Sequence, residues 1–423
     1  MIKANDPNLT SWVKIPENSD FPIQNLPFGI YSTAEKSKRV GVAIGDNIVD
    51  LQSLYELNYF ENLQFKKEDF SNNFLNAMMS YGKSENRKLR NRISELLNST
   101  NSELSKNKNA VAKCIDLQTN STLHLPIQIG DYTDFYSSEQ HAFNVGCMFR
   151  DPKNALLPNW KHIPVGYHGR SSSIIPSGQP IHRPKGQQKQ DNSDQPVFGP
   201  CKLLDFELEM GFITFEGKKL GEQIKTNEAD EYIFGMCLFN DWSARDIQKW
   251  EYVPLGPFLA KNFASSMSCW IITLDALEPF RIPGPKQEPK VLPYLEYTGE
   301  KHLDINLQVS IKTPNGQEKT VTRSNYKYMY WNMNQQLAHH TVNGCDIKCG
   351  DLLASGTISG PSEGSFGSML EISWKGTKPI DMPDGTQRKF INDGDTVIMK
   401  GYSKNEMIRI GFGEVNTLIL PSK

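Results

Sequence analysis

The chain has 423 residues, a formal net charge of −2 and 22% charged side chains. That length supports one large domain or two to three ordinary ones with a sizeable core. Charge near neutrality, with no dominant basic run, excludes a nucleic-acid partner, and no apolar stretch is long enough to span a bilayer.

Residues 1–22 are polar and lack the apolar core of a secretory signal. Residues 1–125 read as a unit of their own. Phe28–Tyr31, Arg39–Ile44 and Asn47–Leu51 are short strands separated by polar turns, which predicts a small barrel or meander. Residues 71–97 change to helical spacing, with a charged outer face. Leu123–Ile129 opens a second, larger domain over 126–423. That domain is punctuated by Gly and Pro, and short apolar or alternating runs recur at Cys237–Phe239, Cys269–Thr273, Ile305–Ile311, Met369–Trp374 and Thr396–Met399. The composition predicts a mainly β fold, a sandwich or roll. Lys185–Pro196 reads as a polar loop. The seven cysteines are scattered and form no zinc pattern. They read as free thiols in a reducing compartment, which points to a cytoplasmic protein.

The most informative segment is Lys202-Leu-Leu-Asp-Phe-Glu-Leu-Glu-Met-Gly211. Its alternation puts Leu204, Phe206, Leu208 and Met210 on one strand face and Asp205, Glu207 and Glu209 on the other. Three neighbouring carboxylates repel, so water, basic partners or a cation must answer them. A half-buried strand with solvated acids would also satisfy the pattern.

Other acids can join them. Ile233–Phe239 reads as a buried strand running into Asn240-Asp-Trp-Ser-Ala-Arg-Asp-Ile-Gln248. Asp241, Arg245, Gln248 and Tyr252 then form one polar helical stripe, although Asp241 also reads as a plain helix cap. Gly130–His141 interleaves aromatic and acidic residues, with Asp134 seven residues before His141. Arg150 and Lys261 are single cations among apolar neighbours, and Glu371 interrupts the strand-like run Gly367–Trp374. Asp134, Glu207, Glu209 and Asp241 would make an all-oxygen site, which selects Mg²⁺ or Ca²⁺ over zinc.

These segments, with Pro164–Ser172 and Ser355–Pro361, resemble the fumarylacetoacetases, carbon–carbon hydrolases of the last step of tyrosine and phenylalanine breakdown. The resemblance covers essentially the whole chain; Glu-x-Glu alone would mark only the wider superfamily. It implies an SH3-like barrel in the N-terminal part, a β-sandwich roll in the remainder, and a homodimer. It puts metal ligands at Asp134, Glu207, Glu209 and Asp241, a general base at His141 and its orienting acid at Glu371. Arg245, Gln248 and Lys261 match oxyanion-holding positions, while Tyr136, Arg150, Tyr167, Gln248, Tyr252 and Thr357 match substrate contacts. The implied substrate is a small β-diketo acid, 4-fumarylacetoacetate, split into fumarate and acetoacetate. The chain departs from the family's usual pattern after Lys261, with Ala264, Ser265 and Cys269 where Gly, Thr and Pro are common. Two alternatives remain: a related 2-oxo-acid decarboxylase or hydratase, and a non-catalytic calcium-binding β module.

Overall fold

The structure is a computed structural model that describes residues 2–423. It is mainly β with mixed sheets. The largest sheet has 13 strands. Its central run is Phe28–Ser32, Trp270–Thr273, Ile233–Asn240, Leu208–Thr214, Leu352–Ala354, Tyr132–Phe135 and Gly166–His168. A five-stranded sheet, built on Asn306–Lys312, Thr396–Lys404 and Arg409–Leu420, faces it.

Strand Ile233–Asn240 shows why its sequence is apolar at nearly every position. Met236 and Leu238 pack into the core shared with Met399 and Val415 of the second sheet. Phe234, Cys237 and Phe239 pack into the other core, with Phe28, Leu89 and Ile93. Both faces are buried, so the usual alternation disappears.

The N-terminal strands Phe28–Ser32, Arg39–Ile44 and Asn47–Asp50 form the expected meander. They do not close into a barrel among the described residues. Phe28–Ser32 instead pairs antiparallel with Trp270–Thr273, so the meander extends the large sheet. The helical spacing of 71–97 appears as helices Asn76–Met79 and Gly82–Leu97. Leu89, Ile93, Leu96 and Leu97 line the buried face of the longer one, as i, i+4, i+7, i+8 spacing requires.

Four local readings need correction. The run Leu204–Gly211 is not one strand. It breaks into Leu204–Asp205, paired with Ser243–Ala244, and Leu208–Thr214, paired with Ile233–Asn240. Its acids are not solvated: Asp205, Glu207 and Glu209 are 0%, 5% and 0% exposed. Asp241 does not share a helical stripe with Arg245, because the helix begins only at Arg245. Gly367–Trp374 is not a strand but carries the one-turn helix Met369–Ile372, capped by the Ser368 side chain. Finally, Lys185–Gln188 and Val197–Pro200 form a hairpin where a loop was expected.

Candidate active site

Neighbouring strand ends bring the acids together. Leu208 lies opposite Asn240, and Ala354 lies beside Asp134 and opposite Gly211. Asp241 follows Asn240, and Asn240 Oδ1 accepts the Glu207 backbone N–H at 3.1 Å. The result is a buried cluster of Asp134, Glu209 and Asp241, whose carboxylate oxygens lie within 4.8 Å of one another. Asp134 Oδ1 and Glu209 Oε1 have no hydrogen-bond partner although buried. Burial first, then the neighbouring carboxylates, pushes the Asp134 and Glu209 carboxyls well above their ordinary range. Asp241 is raised too, chiefly by burial, with Lys261 opposing.

Glu207 stands apart from this trio. Burial would raise its carboxyl, but Lys261 and Arg245 outweigh burial and hold it near about 2. Lys261 Nζ donates to Glu207 Oε2 and, at 2.7 Å, to Asp241 Oδ2. Arg245 Nη2 lies 2.7 Å from Glu207 Oε1, while its Nη1 donates to Gln248 Oε1 at 3.2 Å. The Tyr167 hydroxyl donates to Asp241 Oδ2 at 3.3 Å.

Five buried carboxylates, Asp134, Asp205, Glu207, Glu209 and Asp241, thus face two cations, the partly buried Arg245 and the buried Lys261. The surplus sits on Asp134 and Glu209, each with an orphaned oxygen beside Asp241. An all-oxygen donor set with unanswered negative charge fits a hard divalent cation.

A second constellation adjoins the first. Helix Glu139–Phe149, capped by Ser138, places His141 and Asn144 one turn apart. The His141 Nδ1 is 2.7 Å from Glu371 Oε2, and Asn144 Nδ2 donates to Glu371 Oε1 at 2.9 Å. Ser359 and Ser368 hydroxyls donate to Glu371 Oε2 at 2.8 and 2.9 Å. Burial raises the Glu371 carboxyl, but the neighbouring His141 and these donors outweigh it and hold it below its ordinary value. Glu371 is therefore an ionised, fully satisfied carboxylate aimed at one ring nitrogen, and the other nitrogen, Nε2, has no protein partner among the described residues. Tyr136 packs edge-on against His141, ring centres 5.3 Å apart.

The remaining expected residues are less engaged. Arg150 Nη2 donates only to the Ala155 carbonyl, at 2.6 Å, and its side chain is exposed. Tyr252 is 53% exposed just beyond helix Arg245–Glu251. Thr357 is buried without a side-chain hydrogen bond among the described residues.

Two family models match the chain: "Fumarylacetoacetase N-terminal" over residues 24–126 and "Fumarylacetoacetate (FAA) hydrolase C-terminal" over 132–419. The chain is 53% identical to a human fumarylacetoacetase over 415 residues, covering 97% of this chain and 99% of that one. The chain belongs to the fumarylacetoacetase family. Similar relatives include a Dictyostelium discoideum fumarylacetoacetase, 52% identical over 98% of each chain, and one from Arabidopsis thaliana, 46% identical over 98% and 99%. The fold is shared with a solved fumarylacetoacetate hydrolase from psychrophilic Exiguobacterium antarcticum: TM-score 0.53, 15% identity, covering 94% of this chain and 99% of that one.

Within this family frame, several supporting residues escaped the sequence reading. Asn144, Ser359 and Ser368 steady Glu371 as described. The Ser265 hydroxyl, already noted in the sequence as a departure from Thr, donates to Asp241 Oδ1 at 2.8 Å and keeps the needed donor. The Gly356 N–H donates to Glu209 Oε2 at 3.1 Å. Glu251 accepts backbone N–H bonds from Phe258 and Ala260 at 2.7 and 2.8 Å, fastening the segment that leads to Lys261. The i, i+3 pair His141/Asn144 and the Ser368-x-x-Glu371 spacing were the available signals.

Proposed function

We propose that this chain hydrolyses 4-fumarylacetoacetate to fumarate and acetoacetate at the site formed by His141, Glu371 and the acidic trio. The observation that carries the reading is the buried His141–Glu371 pair, 2.7 Å long, beside a carboxylate trio in which Asp134 and Glu209 each keep an oxygen without a partner.

His141, aligned through Nδ1 by Glu371, takes a proton from water at Nε2. The resulting hydroxide attacks the carbonyl carbon next to the fumaryl end. Arg245, Gln248 and Lys261 hold the oxygen that gains negative charge, acting in a site shielded from water. Collapse of the tetrahedral adduct breaks the carbon–carbon bond. The electron pair leaves on the acetoacetate carbon, and the His141 proton returns to that carbon. Tyr136, Tyr167, Tyr252, Thr357 and Arg150 surround the substrate, with Arg150 suited to a terminal carboxylate. The exposure of Arg150 and Tyr252 fits residues that engage only when substrate arrives.

Asp134, Glu209 and Asp241, with Glu207 alongside, would hold Mg²⁺ or Ca²⁺. When bound, that ion supplies Lewis-acid polarisation of the two keto oxygens. The Lys261 contact to both Glu207 and Asp241 ties this ligand set to the oxyanion position.

The same reading extends to organisation. Residues 1–125 form the N-terminal unit and 126–423 the catalytic roll, a division supported by the two matched ranges. Two copies pair as a homodimer, in the cytoplasm. Seven free thiols support a reducing compartment, and among the described residues no helix is long and apolar enough to cross a membrane.

Loss of the ultraviolet absorbance of fumarylacetoacetate, followed with and without a chelator, tests the reading. Fumarate and acetoacetate as products support it. Release of carbon dioxide from a 2-oxo acid, or inertness with the metal bound, would overturn it.

A further inference from the structure

Asp205 belongs to none of the expected roles, yet it touches both halves of the site. It is fully buried. Its Oδ1 accepts the Met369 backbone N–H at 2.6 Å, and its Oδ2 accepts the Leu370 N–H at 3.0 Å and Arg245 Nε–H at 2.8 Å. Met369 and Leu370 are the first two residues of the one-turn helix whose third residue is Glu371. Arg245 opens a different helix, two residues after Ser243, the strand partner of Asp205.

 Helix Arg245–Glu251 and helix Met369–Ile372 are therefore joined through this one carboxylate. A buried ion pair would account for the Arg245 contact alone. It would not explain why both oxygens also hold the two amides that immediately precede Glu371.

We propose that Asp205 is a positioning residue for the hydrolysis. It fixes the turn bearing Glu371, and through it His141, at a set distance from the Arg245 guanidinium. The inference rests on the reading above, in which His141 moves the proton and Arg245 holds the oxyanion. Only an ionised carboxylate can do this, because it accepts on both oxygens. An asparagine offers one oxygen and one NH₂. Either orientation of its amide sets donor against donor, at Met369 N–H or at Arg245 and Leu370. A loosened turn misplaces the base relative to the oxyanion donor, and such small errors in geometry cost rate more than binding.

The test uses the full chain with added Mg²⁺, comparing Asp205→Asn, Glu371→Gln and the double variant. Circular dichroism and melting curves establish folding. Expected for Asp205→Asn is a kcat lowered at least about 30-fold, with KM and the calorimetric Mg²⁺ affinity changed less than about threefold. The double variant should lose less than about threefold beyond Glu371→Gln alone, because both changes disable one unit. A folded Asp205→Asn with kcat within about threefold of the parent, or fully multiplicative losses in the double variant, would overturn the proposal. If Asp205→Asn does not fold, Asp205→Glu, which keeps the charge but shifts both oxygens, is read by the same criteria. Failure of the parent protein to cleave fumarylacetoacetate would instead sink the functional reading on which this one stands.

Discussion

Replacing Glu371 by Gln removes one charge and almost no volume. The carboxylate is buried and receives four donors: His141 Nδ1 at 2.7 Å, Ser359 Oγ at 2.8 Å, and Ser368 Oγ and Asn144 Nδ2 at 2.9 Å. A glutamine oxygen in the Oε2 position keeps the first three, and Asn144 can turn its own amide to meet the new NH₂. The fold should survive. What disappears is the negative charge facing the imidazolium that forms when His141 takes the proton. Breaking a buried ion pair costs about 3–5 kcal/mol, and the retained hydrogen bonds put this case near 3–4 kcal/mol. At 1.36 kcal/mol per decade, kcat should fall by roughly 100- to 1,000-fold. KM should change little, since Glu371 has no contact with substrate in the proposed mechanism. The assay is loss of substrate absorbance at saturating substrate and fixed Mg²⁺, with a melting curve to confirm folding. A folded variant with kcat within about tenfold of the parent would refute the orienting role.

Three further outcomes follow from the same structure. Glu209→Gln should weaken Mg²⁺ or Ca²⁺ binding at least about tenfold by calorimetry, because Glu209 is one of the clustered acids and carries an orphaned oxygen; unchanged affinity would remove it from the ligand set. Gly356→Ala should destabilise the protein by more than about 2 kcal/mol in urea denaturation, since φ there is +77° and an added Cβ would lie 2.2 Å from the Phe135 carbonyl oxygen. His302 is buried, with Nε2 on the Met329 carbonyl at 3.0 Å and Nδ1 unpartnered, and burial lowers its pKa to about 4 from the ordinary 6.5. The folded state thus resists protonation: the contribution is complete above pH 6.5 and is lost as pH falls from 6.5 towards 4, about 3 kcal/mol in all. His302→Gln should flatten that part of the stability–pH curve, and an unchanged slope would count against it.

The strand that leads into Asp241 was legible because burial on both faces of Ile233–Asn240 leaves a continuous apolar run, and a strand of that length has few other readings. The acids themselves were legible as a group but not as buried. Alternation looks the same whether the polar face meets water or an enclosed site, so Asp205 read as one more solvated carboxylate. The helix at Met369–Ile372 was hidden by its size: one turn of Met-Leu-Glu-Ile between Ser residues fits a short strand equally well, and only the Ser368-to-Glu371 spacing hinted otherwise. The pairing of His141 with Glu371 spans 230 positions of chain. No local pattern encodes such a contact, so resemblance to a family supplied the pair before geometry did. Closure of an N-terminal barrel failed as an expectation because three good strands do not specify where the outermost one finds its partner.

The backbone bonding between Phe28–Ser32 and Trp270–Thr273 bears on how the protein can be taken apart. A fragment beginning near residue 126 would carry a bare row of amide and carbonyl groups along Trp270–Thr273, next to apolar side chains stripped of Phe28 and Ile30. Unprotected edges of that kind recruit other chains. The first hundred-odd residues therefore cover this edge of the catalytic portion, and soluble expression of the latter alone would demand a redesigned border.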